Sequence, residues 1–160
     1  MNDLLQAIIL SMLPIAELRG GIPLAIYRGV HPALALLVCV IANIIVVPIM
    51  YAFLDYLHHH LLHWRWYKRV FDHFLERARR KAHPYIEKYG YLGLAIFVAV
   101  PLPMTGAYTG ALAAWFFKMD RKKAFLAIAA GVLVAGLIVT AVVLGGVKAL
   151  SIFTTAVGGV

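Results

Sequence analysis

The residues best suited to chemistry in this chain stand where their neighbours suit them least. Glu17 and Arg19, followed by Gly20-Gly21 and Pro23, interrupt an apolar stretch that runs from Leu4 to Leu13 and resumes at Leu24. An ionisable side chain is costly in a bilayer interior and usually faces protein or a water-filled cavity there. Arg19 offers a full positive charge and a planar donor fork that matches phosphate or carboxylate. Glu17 has two readings. It neutralises Arg19 in a buried pair that fixes the local fold, or it carries a proton, with burial favouring its neutral form and Arg19 its ionised form. Gly20, Gly21 and Pro23 predict a broken helix, because glycine frees the backbone and proline removes a donor.

A second interruption has a similar make-up. Residues 90–117 are apolar but carry Pro101-Leu-Pro-Met-Thr-Gly106 near their centre. Gly20-Gly21 should lead into a half-helix with Pro23 in its first turn. Thr105 is the expected N-cap of a half-helix running through Ala107, Ala111 and Ala114. Free N–H groups and the positive dipole end of such a helix attract anions. If the two tips meet, Glu17, Arg19, Gly20, Gly21, Pro101, Pro103, Thr105, Gly106 and Tyr108 would form one substrate site. Met104 and Tyr108 read as packing or cavity lining rather than as reactive groups.

The surrounding composition is that of a membrane protein. Of 160 residues, 63% are hydrophobic and 14% charged, where a water-soluble domain carries about 25% charged residues. The mean hydropathy is +0.86. The formal charge of +8 lies between apolar segments, so it points to anionic lipid headgroups and topology rather than to nucleic acid. Cys39 is the single cysteine, which excludes a disulfide within one chain. The opening residues lack the positive region of a secretory signal and are kept in the fold. Residues 31–57 and 124–147 are each long enough for a membrane helix. In the first of these, Asn43 and Pro48 are candidates for cavity lining, Asn43 equally for a helix–helix hydrogen bond. In the second, Ala127, Gly131 and Ala135 give a small-residue face for close packing.

Between them, residues 58–89 change character. Arg65, Lys68, Arg69, Arg77, Arg79, Arg80, Lys81 and Lys88 alternate with Tyr67, Phe71, Phe74 and Leu75 at helical spacing. A basic helix with an aromatic face reads as one lying on the cytoplasmic membrane surface, and Pro84 is expected to limit it. His58, His59, His60 and His63 invite a metal. Apart from Asp55, no carboxylate or cysteine completes a ligand set, and no metal or other cofactor is expected. No nucleophile–base pair, P-loop or dinucleotide motif is present, so the chain is not expected to be an enzyme.

Charge then sets a topology. Positive loops lie inside, and both 58–89 and 118–123 are strongly basic. Residues 90–117 must therefore enter and leave on one side, yet two spans need about 40 residues. A re-entrant hairpin follows. Residues 1–30 read the same way from the outside, with a single kinked span and an inner N-terminus as the competing arrangement. The expected fold is an all-α integral membrane protein, an inverted repeat of two re-entrant helical hairpins each followed by a transmembrane helix, with a cytoplasmic amphipathic helix and a tail at 148–160. Such repeats are common in secondary transporters.

Pro14-Ile-Ala-Glu-Leu-Arg-Gly-Gly-Ile-Pro23 and Val100-Pro-Leu-Pro-Met-Thr-Gly-Ala-Tyr-Thr-Gly110 resemble the family named putative small multidrug export proteins, over nearly the full length. That family is regarded as distantly related to the DedA or VTT membrane proteins, which also have two opposed re-entrant hairpins. The resemblance implies translocation of undecaprenyl phosphate or a related lipid, coupled to protons or another ion, with Glu17 and Arg19 as the acidic and basic members. The second hairpin departs from the DedA pattern, having no arginine between Pro101 and Phe117. The preferred expectation is a multi-pass protein of a prokaryotic inner membrane that moves an anionic substrate, as a homodimer. The alternatives are export of lipophilic cations by proton antiport, with Glu17 as the shared site, and a non-transporting scaffold that works through its basic helix.

Overall fold

The computed structural model describes residues 3–14, 16–61, 63–100 and 105–157, which are helices joined by short turns with no strand among them. In chain order they are α1 (Asp3–Ser11), α2 (Glu17–Tyr27), α3 (Pro32–Ala52), a π-helical turn (Phe53–Leu57) running on into α4 (His58–Leu61), α5 (Arg65–Ala99), α6 (Ala107–Phe116) and α7 (Arg121–Val157).

Among the described residues two stretches are long and apolar enough to cross a membrane, Pro32–Leu57 and Arg121–Gly146, each of 26 residues, with mean hydropathy 2.8 and 2.7. At 1.5 Å per residue each reaches about 39 Å, more than a hydrocarbon core of about 30 Å. Their starts follow from local chemistry. His31 accepts the Ala33 N–H ahead of Pro32 in the first turn, and Asp120 accepts the Lys123 N–H at 3.0 Å. Along α3 one stripe is buried (Ala35, Cys39, Asn43, Val47, Tyr51), while Leu34, Leu37, Ile41, Ile45 and Ile49 face outward. Helix α7 repeats the division, with Ala124, Ile128 and Ala135 inside and Leu126, Leu133, Leu137 and Val142 outside. So large an apolar exterior suits lipid rather than water. Pro48, a candidate for cavity lining, instead lies on the outward face. Asn43 makes the interhelical bond, donating to the Ser11 carbonyl at 3.1 Å.

The elements repeat. Helix α2 ends with Gly29 at φ 83°, α6 with Lys118 at φ 52°, and both turns close with the same pattern. In the first, the N–H groups of Gly29 and Val30 reach Ile26 and Ala25; in the second, those of Lys118 and Met119 reach Trp115 and Ala114. A long apolar helix starts three residues after each, at Pro32 and at Arg121. Each short helix also pairs with a helix before it, α2 with α1 and α6 with the end of α5.

Three local expectations are corrected. Gly20, Gly21 and Pro23 do not break a helix; they lie inside α2, and the break falls earlier, between Ser11 and Glu17. The reason is packing. A Cβ on Gly21 would overlap Ser11 Oγ and lie 2.7 Å from the Ala7 carbonyl, so this glycine is what lets α1 cross α2. Pro84 does not end its helix either. It sits on the exposed face of α5, where the Arg80 carbonyl it displaces can turn outward. The interruption of α5 is at Gly90, whose φ 57° and ψ −125° are not helical. There the chain folds back, so that Phe97 meets Tyr85 with ring centroids 6.2 Å apart.

The limb before Gly90 is not wholly a surface element. Its basic side chains are outward, but Phe71, Ala78 and Ala82 are buried. Phe71 and Ala78 form a small core with Leu54 and Leu112. His58, 5% exposed, anchors it. Its ring lies 4.1 Å from that of Phe71 and its Nδ1 is 3.1 Å from the Tyr67 hydroxyl.

Candidate functional site

The loop before α2 and the loop before α6 meet, and Glu17 and Arg19 are the residues that join them. Glu17 opens α2 with φ 49°, a left-handed conformation that costs a non-glycine residue free energy and is found at sites that hold it in place. Its side chain crosses to the other loop. It occupies the space where a Cβ on Gly106 would be. Gly106 precedes α6 directly, so the carboxylate stands at the positive end of that helix dipole. Glu17 is 8% exposed.

Arg19, one half-turn on, grips the same loop. One of its terminal nitrogens donates to the Thr105 carbonyl, to Thr105 Oγ1 at 3.0 Å and to the Val100 carbonyl at 3.4 Å. Thr105 Oγ1 in turn donates to the Val100 carbonyl at 2.7 Å. Thr105 is therefore not the N-cap expected of it. Its hydroxyl is taken up by Arg19 and Val100, and α6 is started by Gly106, whose N–H donates to Thr109 Oγ1 at 2.9 Å. Tyr108 completes the junction by donating its hydroxyl to the Met12 carbonyl in the first loop.

Glu17, Arg19, Thr105, Gly106 and Tyr108 thus come together. Gly20 and Gly21 serve the α1–α2 contact instead, Gly20 facing Leu10 and its own preceding turn. Pro101 and Pro103 lie outside the described residues, as does Met104. No group of three or more metal-ligating side chains occurs among the described residues.

Beside the junction lies a cavity of about 280 Å³, with Glu17, Arg19 and Tyr108 at one end and Met50, Phe53, Tyr67, Phe71, Phe74 and Leu112 among its walls. The aromatic wall is what the sequence left out of the site. Its signal was visible in the helical spacing of Tyr67, Phe71 and Phe74, read there as a lipid-facing stripe. A ligand here would meet a carboxylate, a guanidinium and a helix N-terminus together with a largely apolar and aromatic lining, an arrangement that suits an amphiphile.

The family model described as "Putative small multi-drug export protein" matches residues 17–138. The chain belongs to that family. No curated protein and no solved structure matches it. The match begins at Glu17 itself and takes in the loop before α6, the basic limb and about half of α7, so every wall of the cavity except Pro14 and Ala16 falls within it. Family and apolar exterior together make this small multidrug export family member a membrane protein.

Proposed function

We propose that the chain is a proton-coupled secondary transporter of an anionic amphiphile, a lipid phosphate of the polyprenyl phosphate kind, and not an enzyme. The observation that carries this reading is the position of Glu17. Its carboxylate already occupies an anion site, the N-terminus of α6, beside a guanidinium that lines the same cavity. A carboxylate there is worth up to about 2 kcal/mol, and a substrate phosphate arriving at Arg19 would compete with it. Protonation of Glu17 cancels its attraction for the dipole and leaves Arg19 and the α6 N–H groups to the substrate anion. Loss of that proton on the far side restores the competition and expels the substrate. Proton and anion would thus move together.

In this reading α1–α2 and the pair formed by the end of α5 and α6 are re-entrant hairpins dipping from opposite faces of the cell membrane. Pro32–Leu57 and Arg121–Gly146 cross it. The repeated short helix, closing turn and long helix support that arrangement. At about 280 Å³ the cavity is at the small end for ligand pockets, enough for a headgroup and its first carbons, with the remaining chain in lipid. Two long helices enclose little volume, and a homodimer would complete the path.

Export of lipophilic cations is the second reading, favoured by the aromatic wall, where cation–π attraction is available, and by the family's description. Arg19 on the same cavity opposes it. Binding of a polyprenyl phosphate and of tetraphenylphosphonium to purified protein in nanodiscs separates the two. Arg19→Gln should weaken phosphate binding by about tenfold or more, the worth of a charge-assisted bond. Glu17→Gln, a stand-in for the protonated acid, should bind at least as tightly as the parent and lose the pH dependence. Thr105→Val, which removes an acceptor of Arg19 without changing charge, reports any effect of loosened loops. Cation binding that survives Arg19→Gln and fails in Glu17→Gln would instead establish the exporter.

A further inference from the structure

We infer that a second anion site, built for a phosphate oxyanion, lies between the end of α3 and the α6–α7 turn. A cavity of about 240 Å³ is lined there by Tyr51, Ala114, Trp115, Lys118, Met119 and Arg121. It shares no residue with the Glu17–Arg19 cavity. Three observations converge on it.

The first is charge. Arg121 holds Asp55 through two bonds of 2.5 and 2.7 Å and lies over the Tyr51 ring at 5.6 Å. That pair fixes the guanidinium and accounts for one positive charge. Lys118 has no ion pair among the described residues, so the cavity keeps a net positive charge. The second is Tyr51. The residue is 8% exposed and its hydroxyl is buried with no hydrogen-bond partner. A buried hydroxyl left unbonded is destabilising, and the residue that carries it lines a cavity whose charged lining residues are Lys118 and Arg121.

The third is the backbone at Lys118. It adopts φ 52° in the closing turn of α6, a conformation suited to glycine. The matching turn at the end of α2 does use glycine, Gly29. Two turns of one pattern therefore differ in the residue at the strained position. Where the chain forgoes glycine it places an ammonium on the cavity.

Together these groups suit an anion with several oxygens, bound by Lys118, by Arg121 and by the Tyr51 hydroxyl as donor. The headgroup of an anionic phospholipid and free inorganic phosphate share that chemistry. The site goes beyond the transport reading and does not depend on it.

Lys118→Gly is the deciding variant, because it removes the charge while relaxing the turn, so loss of fold cannot explain its effect. Trp64→Phe and Trp66→Phe leave Trp115, which lines the cavity, as the single tryptophan. In nanodiscs of phosphatidylcholine, brominated phosphatidylglycerol should quench Trp115 at lower mole fraction than brominated phosphatidylcholine does. Lys118→Gly should raise the half-quenching fraction about fivefold, the worth of one cation near an anionic surface, with a melting temperature equal to or above the parent's. Tyr51→Phe should raise it less. Inorganic phosphate that perturbs Trp115 in neutral nanodiscs, and ceases to do so in Lys118→Gly, would support the site with the free ion as ligand. Equal quenching by both lipids together with no response to phosphate, or responses unchanged in Lys118→Gly, would overturn it.

Discussion

At Gly106 the room that a methyl group would need is filled by the Glu17 carboxylate, and this is the tightest statement of how the two loops depend on each other. Gly106→Ala must push that carboxylate off the start of α6. Gly21→Ala must part α1 from α2, since Ser11 Oγ and the Ala7 carbonyl stand in the way. Each should cost about 1–3 kcal/mol, the range for an added methyl in a packed interior. Thermal denaturation in detergent measures both. Gly145→Ala is the contrast: nothing lies within 4 Å of the added Cβ, and in helix α7 the change should stabilise by up to about 1 kcal/mol. The three together tell glycines placed for contact from glycines that are merely tolerated. If Gly106→Ala melts like the parent, the carboxylate does not sit where the competition with substrate requires it.

Helix α5 depends on one residue for its shape. Gly90 combines φ 57° with ψ −125°, a region essentially closed to side chains, although nothing lies within 4 Å of where its Cβ would be. Gly90→Ala should therefore cost about 1–3 kcal/mol through backbone strain alone. Because the fold-back sets where the basic limb lies, trypsin should cleave faster in that limb, at exposed Arg77, Arg79 and Arg80. Cleavage at the parental rate would show that the limb does not depend on this hinge. The same comparison of elements explains what the sequence made legible. The lengths near 33–57 and 124–147 announced the long helices because apolar run length is a property of the chain alone. Glu17 and Arg19 stood out because charge is rare in such runs. The role of Gly21 was not legible, since a glycine that admits a neighbouring helix and a glycine that breaks its own helix are the same letter. Thr105 looked like a cap because its competing partner, Arg19, is distant in sequence and reaches it only in the folded chain. The wall formed by Tyr67 and Phe71 was hidden for a similar reason: an aromatic stripe fits lipid and protein equally well, and only the buried His58 and Leu112 decide which it meets.

For the whole molecule the question is which side of the membrane each end of the repeat faces. In the proposed arrangement the basic α5 limb and residues 118–123 both face the cytoplasm, and the long helices then run in opposite directions. An inverted repeat puts the start of α1 outside; a kinked single span puts it inside. The native cysteine, Cys39, is buried and can be replaced by alanine to give a background for labelling. In intact cells a membrane-impermeant maleimide should then modify Asn2→Cys, while Arg77→Cys and Lys122→Cys should react only after permeabilisation. Arg28→Cys, in the exposed turn between α2 and α3, should label from outside in either arrangement and serves as the positive control. Silence at position 2 with a signal at position 28 would make α1–α2 one crossing. The two loops would still meet through Glu17 and Arg19, but they would no longer approach from opposite faces. The competition between Glu17 and a substrate anion could then bind but not by itself alternate access, so the transport cycle, not the anion site, is what this labelling puts at stake.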